Sequence, residues 1–165
     1  MTNCTIRAAT ADDAAAIAAI YAHFVRTSTA TFELDPPHEH EIASRMEAVH
    51  RLGFPYLVAE QDNRIVGYAY ATQFRPRAAY RFTVEDSIYI DASHTGRGIG
   101  RQLLTSLIEA AREAGARQVI AGMGGENPAS IALHAAHGFK HVGVLRAVGF
   151  KFEQWLDVTL MQRPL

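Results

Sequence analysis

A carboxylate of potential chemical interest, Glu85, lies within a predicted strand that spans Phe82–Ile90. A carboxylate inside a strand is unfavourable unless it is paired or used in function. The two-residue period of a strand places its neighbour Asp86 on the opposite, apolar face. Glu85 could accept a proton from a substrate if burial raises its pKa, or through a water molecule. The alternatives are exposure near a strand end or an ion pair with one of three nearby arginines, Arg75, Arg77 and Arg81.

A glycine-bearing loop, Asp91–Gly98, follows this strand and leads into a helix that we expect to open at Gly98 or Ile99. Its glycines permit backbone conformations that a β-carbon would obstruct, and they let a ligand approach the chain closely. The N-terminus of the helix presents unpaired N–H groups and the positive end of its dipole. Together with Arg97 and Arg101, these features predict a site for a phosphate or pyrophosphate.

The spacing of these glycines excludes two common phosphate-binding loops. The dinucleotide fingerprint requires G-x-G-x-x-G, whereas this loop has G-x-G-x-G followed by Arg101 and Gln102. The Walker loop requires Gly-Lys-Ser/Thr, and this loop has no lysine. Glycines in a strand–helix turn can also serve packing alone, so the loop by itself leaves that alternative open.

A basic segment with a phenol, FRPRAAYR, ends shortly before Glu85 and contains Arg75, Arg77 and Tyr80. A guanidinium matches planar oxyanions in a bidentate way, so this segment could receive the carboxylate, phosphinate or sulfonyl group of a substrate. The alternative is a solvated basic loop.

Three histidines near the end of a predicted helix raise the question of a metal site. His134 and His137 lie three residues apart on one helical face, but Gly138 ends the helix before His141, and no carboxylate accompanies them. We therefore expect no metal. A core or surface histidine is the alternative for each of them.

The rest of the chain reads as helices and strands around one central mixed sheet, of class α/β or α+β. Further strands are predicted at Cys4–Ala8, Tyr56–Glu60, Arg64–Thr72, Gln118–Gly122, His141–Leu145 and Phe152–Met161. Helices are predicted after Thr10, over His38–Leu52, from the glycine loop to about Gly115, and from Asn127 to Gly138.

Length and composition predict one globular domain over residues 1–165, with 48% hydrophobic and 20% charged residues. The formal net charge of −1 gives no sign of a nucleic acid or membrane surface as a partner. The one cysteine, Cys4, excludes an internal disulfide and suits a reducing compartment. We find no signal-peptide pattern and no membrane-length apolar run, so we expect a cytoplasmic protein.

The segment IDASHTGRGIGRQLL resembles the pyrophosphate loop of the GNAT superfamily of N-acetyltransferases, Arg/Gln-x-x-Gly-x-Gly/Ala. Gly98 and Gly100 match the glycine pair, and Thr95 stands where Arg or Gln is usual. The resemblance implies a mixed, mostly antiparallel twisted sheet flanked by helices, with acetyl-CoA as co-substrate. The implied acetyl-CoA contacts are Ile88, Tyr89, Ile90, Thr95, Gly96, Arg97, Gly98, Ile99, Gly100, Arg101, Asn127 and Ser130.

A second segment resembles the GNAT pattern Asn-x-x-Ala/Ser-x-x-Leu-Tyr-x-x-x-Gly-Phe. Asn127, Ser130, Leu133, Gly138 and Phe139 match it, and His134 occupies the Tyr position. In the family, the Asn and the small residue contact the pantetheine arm and the Tyr protonates the departing thiolate. Since a thiol titrates near 8.5 and a histidine near 6.5, a charged His134 is a sensible proton donor.

Three longer segments, TSTATFE, TVEDSIYI and LRAVGFKFEQWLDV, resemble the phosphinothricin and methionine sulfoximine acetyltransferase branch of GNAT. The resemblance implies direct acetylation of the α-amine of a small glutamate-like amino-acid analogue. It makes Glu85 the base, lines the acceptor pocket with Arg75, Arg77 and Tyr80, and closes that pocket with Phe32. It also implies a homodimer.

Two other functions remain open from the sequence. The same fold could acetylate protein N-termini or polyamines, although the arginines at 75 and 77 argue weakly against a polyamine groove. The chain could also be a CoA-binding sensor without turnover, which the presence of both Glu85 and His134 disfavours.

Overall fold

The computed structural model describes residues 4–165, and helices and strands follow one another there in the predicted order. The strands are β1 (Cys4–Ala8), β2 (Tyr56–Gln61), β3 (Arg64–Gln73), β4 (Thr83–Ile90), β5 (Gln118–Gly124), β6 (Lys140–Lys151) and β7 (Gln154–Pro164). The α-helices of this described part are α1 (Ala14–Thr27), α2 (Glu39–Arg51), α3 (Ile99–Glu113) and α4 (Pro128–Ala136). Short 3-10 turns lie at Ala11–Asp13, Ala78–Tyr80 and Ala92–His94.

The strands form one seven-stranded mixed sheet in the order β1-β2-β3-β4-β5-β7-β6. Within residues 4–165, the β4–β5 pair is parallel and the other neighbouring pairs are antiparallel. The predicted architecture, a mixed and mostly antiparallel sheet flanked by helices, is confirmed. The parallel pairing covers only Thr83–Asp86 against Gln118–Ala121. Beyond Asp86 the second half of β4 is therefore free of β5, and a cleft begins there.

The helices pack on opposite faces of the sheet, as their apolar stripes dictate. On one face, the ring of Tyr21 on α1 packs edge-on against Tyr89 of β4, with centroids 5.2 Å apart. On the other face, α3 buries an apolar stripe made of Ile99, Leu103, Leu104, Leu107, Ile108 and Ala111. β4 thus lies between two packed layers, with α4 on the α3 side.

Turn chemistry explains where the hairpins bend. Asp62 and Asn63 have φ of 49° and 59°, as a two-residue turn between the antiparallel strands β2 and β3 requires. The last two strands differ from prediction, because β6 continues through an irregular register between Leu145 and Gly149 instead of ending. Phe152, predicted to start a strand, has φ of 52° and forms the β6–β7 turn. The sequence pattern did not predict the longer β6 and the turn at Phe152, because a bulge interrupts the two-residue alternation of a strand.

Candidate active site

A small cleft of about 50 Å³ opens where β4 and β5 stop pairing. Its wall combines the free end of β4, the middle of β5 and the first turns of α4. The lining residues are Ala30, Asp86, Ser87, Ile88, Tyr89, Ala121, Gly122, Met123, Asn127, Ser130 and His134. Predicted acetyl-CoA contacts from β4, Ile88 and Tyr89, and from the start of α4, Asn127 and Ser130, therefore meet in one cavity.

Glu85 lies beside this cleft on the α1 face of the sheet. It pairs across the strands with Thr72, and a β-carbon on Gly122 would lie 3.1 Å from Glu85 Oε1. The missing side chain at Gly122 thus makes room for the carboxylate. Burial, assisted by the negative charge of Asp86, raises the pKa of Glu85 above its ordinary value, while Arg75 acts in the opposite direction. These shifts bring the carboxylate closer to the range in which it can accept a proton at neutral pH.

Asp86 and His134 form a buried pair on the opposite face of β4. His134 Nε2 lies 2.9 Å from Asp86 Oδ2, and the two side chains are 2% and 1% exposed. The other ring nitrogen, Nδ1, lies 2.8 Å from the carbonyl oxygen of Ser130. Burial acts to lower the pKa of His134, but the hydrogen bond and charge of Asp86 outweigh it, so the pKa is raised.

Asp86 had no predicted role. A signal was present, because the strand period put a carboxylate on an otherwise apolar face, where it requires a partner. The partner, His134, lies 48 positions away on helix α4, and the residue pattern of a strand does not predict a contact so distant in the sequence. Glu85 and His134, both predicted to be catalytic, consequently do not touch, since they stand on opposite faces of β4.

The glycine loop before α3 has the geometry that an anion site requires. Gly96 and Gly98 have φ of 73° and 79°, and a β-carbon on either would meet nothing within 4 Å. These glycines therefore serve backbone conformation and not packing. Thr95, Arg97 and Arg101 are exposed around the loop, and Ile99 is buried, so it can offer a ligand only its backbone.

The side chains of Asn127 and Ser130 form hydrogen bonds within the part of α4 that lines the cleft. Asn127 caps the helix by accepting a hydrogen bond from the backbone N–H of Ser130. Ser130 Oγ lies 3.3 Å from His134 Nδ1. Both predicted acetyl-CoA contacts of α4 thus have a structural role as well as a place in the cleft wall.

Phe32 lies across β5 and β6 in a slot made by glycines. A β-carbon on Gly124 would lie 2.6 Å from the Phe32 ring, and one on Gly149 would also overlap it. Lys151 is buried, and its Nζ donates hydrogen bonds of 2.8 Å to the carbonyl oxygens of Ser28 and Thr31. This lysine therefore secures the segment that carries Phe32. Because Gly122 and Gly124 share a face of β5, Phe32 and Glu85 lie on the same side of the sheet.

Arg75, Arg77 and Tyr80 lie in the exposed loop between β3 and β4. The side chain of Gln73 holds this loop by donating hydrogen bonds to the carbonyl oxygens of Arg75 and Arg77. Arg75 is near enough to influence the pKa of Glu85, and its guanidinium lies 5.0 Å from the Phe74 ring centroid. Among the described residues, neither guanidinium pairs with an acidic side chain within 4.0 Å. The structure thus brings Arg75 towards Glu85 and leaves Arg77 apart from it.

The other two histidines considered above are in separate surroundings. His137 Nε2 lies 3.1 Å from Thr105 Oγ1, and His141 is exposed. Over residues 4–165, no three His, Cys, Asp or Glu side chains gather as the ligands of one metal ion do. None of the helices in this part of the chain is long and apolar enough to cross a bilayer.

A larger open depression, of about 730 Å³, lies between α1 and the start of the glycine loop. Arg7, Asp13, Glu60 and Arg64 are among its charged lining residues. It contains neither Glu85 nor His134, and its size reflects an open surface. The smaller β4–β5 cleft is lined by His134 and by Gly122, the residue that Glu85 faces.

A family model described as an acetyltransferase (GNAT) domain matches residues 6–160. The chain belongs to the GNAT acetyltransferase family. A phosphinothricin N-acetyltransferase from Alcaligenes faecalis is 55% identical to this GNAT chain over 163 residues, or 98% of this chain and 83% of the relative. An L-methionine sulfoximine/L-methionine sulfone acetyltransferase from Salmonella typhimurium is 40% identical over 161 residues, or 98% of this chain and 94% of the relative.

A solved structure extends the comparison to the whole GNAT fold. The crystal structure of a GNAT phosphinothricin acetyltransferase from Sinorhizobium meliloti in complex with AcCoA matches with a TM-score of 0.96 and 48% identity. The match covers 100% of this chain and 89% of that chain. The family and enzyme class predicted from the sequence are confirmed: this chain is an N-acetyltransferase.

Proposed function

We propose that this N-acetyltransferase moves the acetyl group of acetyl-CoA directly to the α-amine of a small glutamate-like amino-acid analogue. Phosphinothricin, methionine sulfoximine and methionine sulfone are the substrate types that we expect. The observation that carries the proposal is the half-buried Glu85, which faces Gly122 at the edge of the β4–β5 cleft. The names of the relatives with 55% and 40% identity support the same acceptor class.

The residues around the cleft fit acetyl-CoA. Positive φ at Gly96 and Gly98 turns the backbone into the N-terminus of α3, where unpaired N–H groups can bind the pyrophosphate. The pantetheine arm would enter the β4–β5 cleft between Ile88–Ile90 and the Asn127–Ser130 turn. Acetyl-CoA supplies an activated acyl group, and these residues hold it beside Glu85.

Glu85 is the base in this proposal. An α-ammonium group titrates near 8 and an ordinary glutamate near 4.3, a mismatch of roughly 5 kcal/mol for direct proton transfer. The raised pKa of Glu85 reduces that mismatch. His134, on the other face of β4, is the proton donor for the departing sulfur.

The β3–β4 loop and Phe32 select the acceptor through their charge and shape. Arg75, which acts on Glu85, shares an exposed loop with Arg77, and both guanidiniums suit a carboxylate or a tetrahedral phosphinate or sulfonyl head. Tyr80 packs edge-on against Phe74 in the same loop, with centroids 5.8 Å apart. Phe32 would close the pocket from the β5–β6 side.

A homodimer also belongs to this proposal. The β6–β7 hairpin forms an edge of the sheet and exposes Leu145, Val148, Phe150, Phe152 and Trp155, the last of these 68% exposed. Contiguous apolar surface of this kind is typical of an interface between subunits. We further expect one acetyltransferase domain over residues 1–165 and a cytoplasmic location, in keeping with the free thiol of Cys4.

The test is CoA release from acetyl-CoA with a panel of acceptors. The panel contains phosphinothricin, methionine sulfoximine, methionine sulfone, ordinary amino acids, spermidine and short peptides. We expect turnover confined to the tetrahedral glutamate-like compounds, and a loss of that turnover in Arg75→Ala. Turnover on peptides or spermidine alone would overturn the proposed acceptor. CoA binding without turnover on any compound would favour a sensor.

A further inference from the structure

Both ring nitrogens of His134 face acceptors. A carbonyl oxygen can only accept, so Nδ1, at 2.8 Å from Ser130 O, carries a hydrogen. The 2.9 Å approach of Nε2 to Asp86 Oδ2 also requires a proton between the two atoms. The Asp86–His134 pair therefore holds a proton at each ring nitrogen, whereas a neutral imidazole beside a carboxylate would hold a proton at one ring nitrogen.

The surroundings of the pair contain little else that could set its charge. On α4, the ring of His134 packs edge-on against Phe139, with centroids 4.9 Å apart. Glu85 of β4 points to the other face of the sheet, and Arg163 of β7 donates its hydrogen bond to the carbonyl oxygen of His137. Asp86 is thus the ionisable side chain in direct contact with the ring.

A path leads from the pair into the cleft. Ser130 Oγ lies 3.3 Å from His134 Nδ1, and both residues line the cavity. Asp86 lines the same cavity, and its second oxygen, Oδ1, is buried with no hydrogen-bond partner among residues 4–165. A space of about 50 Å³ is large enough for a water molecule, so a proton source can reach the Ser130 side of the cleft.

We propose that Asp86 is a positioning residue that keeps a proton on His134, and that His134 delivers this proton through Ser130 Oγ to the sulfur released in acetyl transfer. This inference rests on the proposed function, since it explains how the proton donor of that reaction is kept charged and how its proton reaches the sulfur.

The carbon–sulfur bond of the acetyl thioester breaks, and sulfur leaves with the bonding pair. Ser130 Oγ gives its proton to that sulfur and takes one from His134 Nδ1. The ring becomes neutral, with Nε2–H still donating to Asp86, and solvent restores the lost proton before the next turnover.

The first test measures the protonation of His134 directly, by ¹H–¹⁵N NMR of the side chain across a pH titration. In the wild-type protein we expect both ring nitrogens to remain protonated well above the usual range of histidine. In Asp86→Asn the ring should lose its second proton at least about one pH unit lower, because the carboxylate charge is gone. A wild-type ring that is neutral at pH 7 would overturn the proposal, even if Asp86→Asn does not fold.

The pH dependence of kcat distinguishes a positioning role of Asp86 from a purely structural one. A proton donor makes kcat fall at high pH, so Asp86→Asn should move that basic limb towards lower pH. A purely structural role would lower kcat equally at every pH and leave the limb in place. That second result would contradict the role proposed for Asp86.

The relay is tested with Ser130→Ala, which keeps the backbone carbonyl that holds His134. We expect His134 to remain protonated by NMR while kcat with acetyl-CoA falls about tenfold or more. The loss should disappear with an aryl thioacetate, whose leaving thiolate needs no proton. Thr105→Ala, which removes the hydroxyl beside His137, is the control and should leave kcat unchanged.

An unchanged kcat in Ser130→Ala would overturn the relay. If the wild-type enzyme turns over no acceptor at all, the proposed function fails. The state of the Asp86–His134 pair is still decided then, because the NMR titration requires no acceptor.

Discussion

Glu85 and Asp86 are neighbours in β4, yet their carboxylates lie on opposite faces of the sheet. Glu85 faces Gly122 on the α1 side, whereas Asp86 bonds to His134 of α4. The β4–β5 cleft opens next to both. One strand therefore places Glu85, the proposed acceptor of the amine proton, on one face and the Asp86–His134 pair, the proposed source of the proton for sulfur, on the other. The charge of Asp86 also contributes to the raised pKa of Glu85.

The raised pKa of Glu85 predicts an effect on stability. A carboxyl group with a higher pKa in the folded state contributes stability that is lost as the pH rises through that pKa. Glu85→Gln removes the half-buried charge, so its Tm should exceed that of the wild type at pH 7.5. The difference should vanish near pH 4, where the wild-type carboxyl is also protonated. Thermal scans at both pH values check this, and equal Tm values at pH 7.5 would contradict it.

Arg75 predicts an effect on the pH–rate profile. Its positive charge lowers the pKa of Glu85 against the effect of burial. In Arg75→Met the pKa of Glu85 should rise further, so the acidic limb of the kcat/KM profile should move to higher pH.

Arg81→Met serves as the control for Arg75→Met, because this exposed guanidinium stacks on Phe82, whereas the charges that act on Glu85 are those of Asp86 and Arg75. If the acidic limb of the kcat/KM profile stays in place in Arg75→Met, or moves equally in both variants, Arg75 does not act on Glu85.

The glycine slot beneath Phe32 predicts a packing effect. Gly149→Ala places a methyl group where the Phe32 ring lies, and overpacking of this kind costs about 1–3 kcal/mol. We expect a lower Tm and a raised KM for the acceptor, with little change in acetyl-CoA affinity. Gly143→Ala, in the same strand with nothing within 4 Å of its added methyl, is the matched control. Equal acceptor KM values in the two variants would argue against a pocket role for Phe32.

The exposed apolar surface of the β6–β7 hairpin predicts that a charge placed there will dissociate the proposed dimer. Trp155 is 68% exposed and packs on Phe150 with ring centroids 5.1 Å apart. Trp155→Glu puts a charge into this apolar surface, so a dimer that uses it should dissociate. Light scattering at several concentrations measures the mass. A wild-type monomer, or a variant that remains dimeric, would exclude this hairpin as the interface.

Local patterns predicted most of the framework, and contacts between distant segments account for the remainder. The stripe of α3 and the Asp62–Asn63 turn each follow from a few adjacent residues, and both are present in the structure. The glycine loop and the α4 motif led to the correct family. The Asp86–His134 contact and the role of Lys151 depend on how remote segments meet, so the sequence pattern could not supply them.

The most direct test of the account compares Glu85→Gln with the wild type in two measurements on one preparation, acetyl-CoA affinity by calorimetry and kcat with phosphinothricin. The account predicts an unchanged Kd for acetyl-CoA and a kcat lower by about 10²–10⁴-fold, the usual contribution of a general base. A variant that keeps wild-type kcat would contradict the assignment of Glu85 as the base.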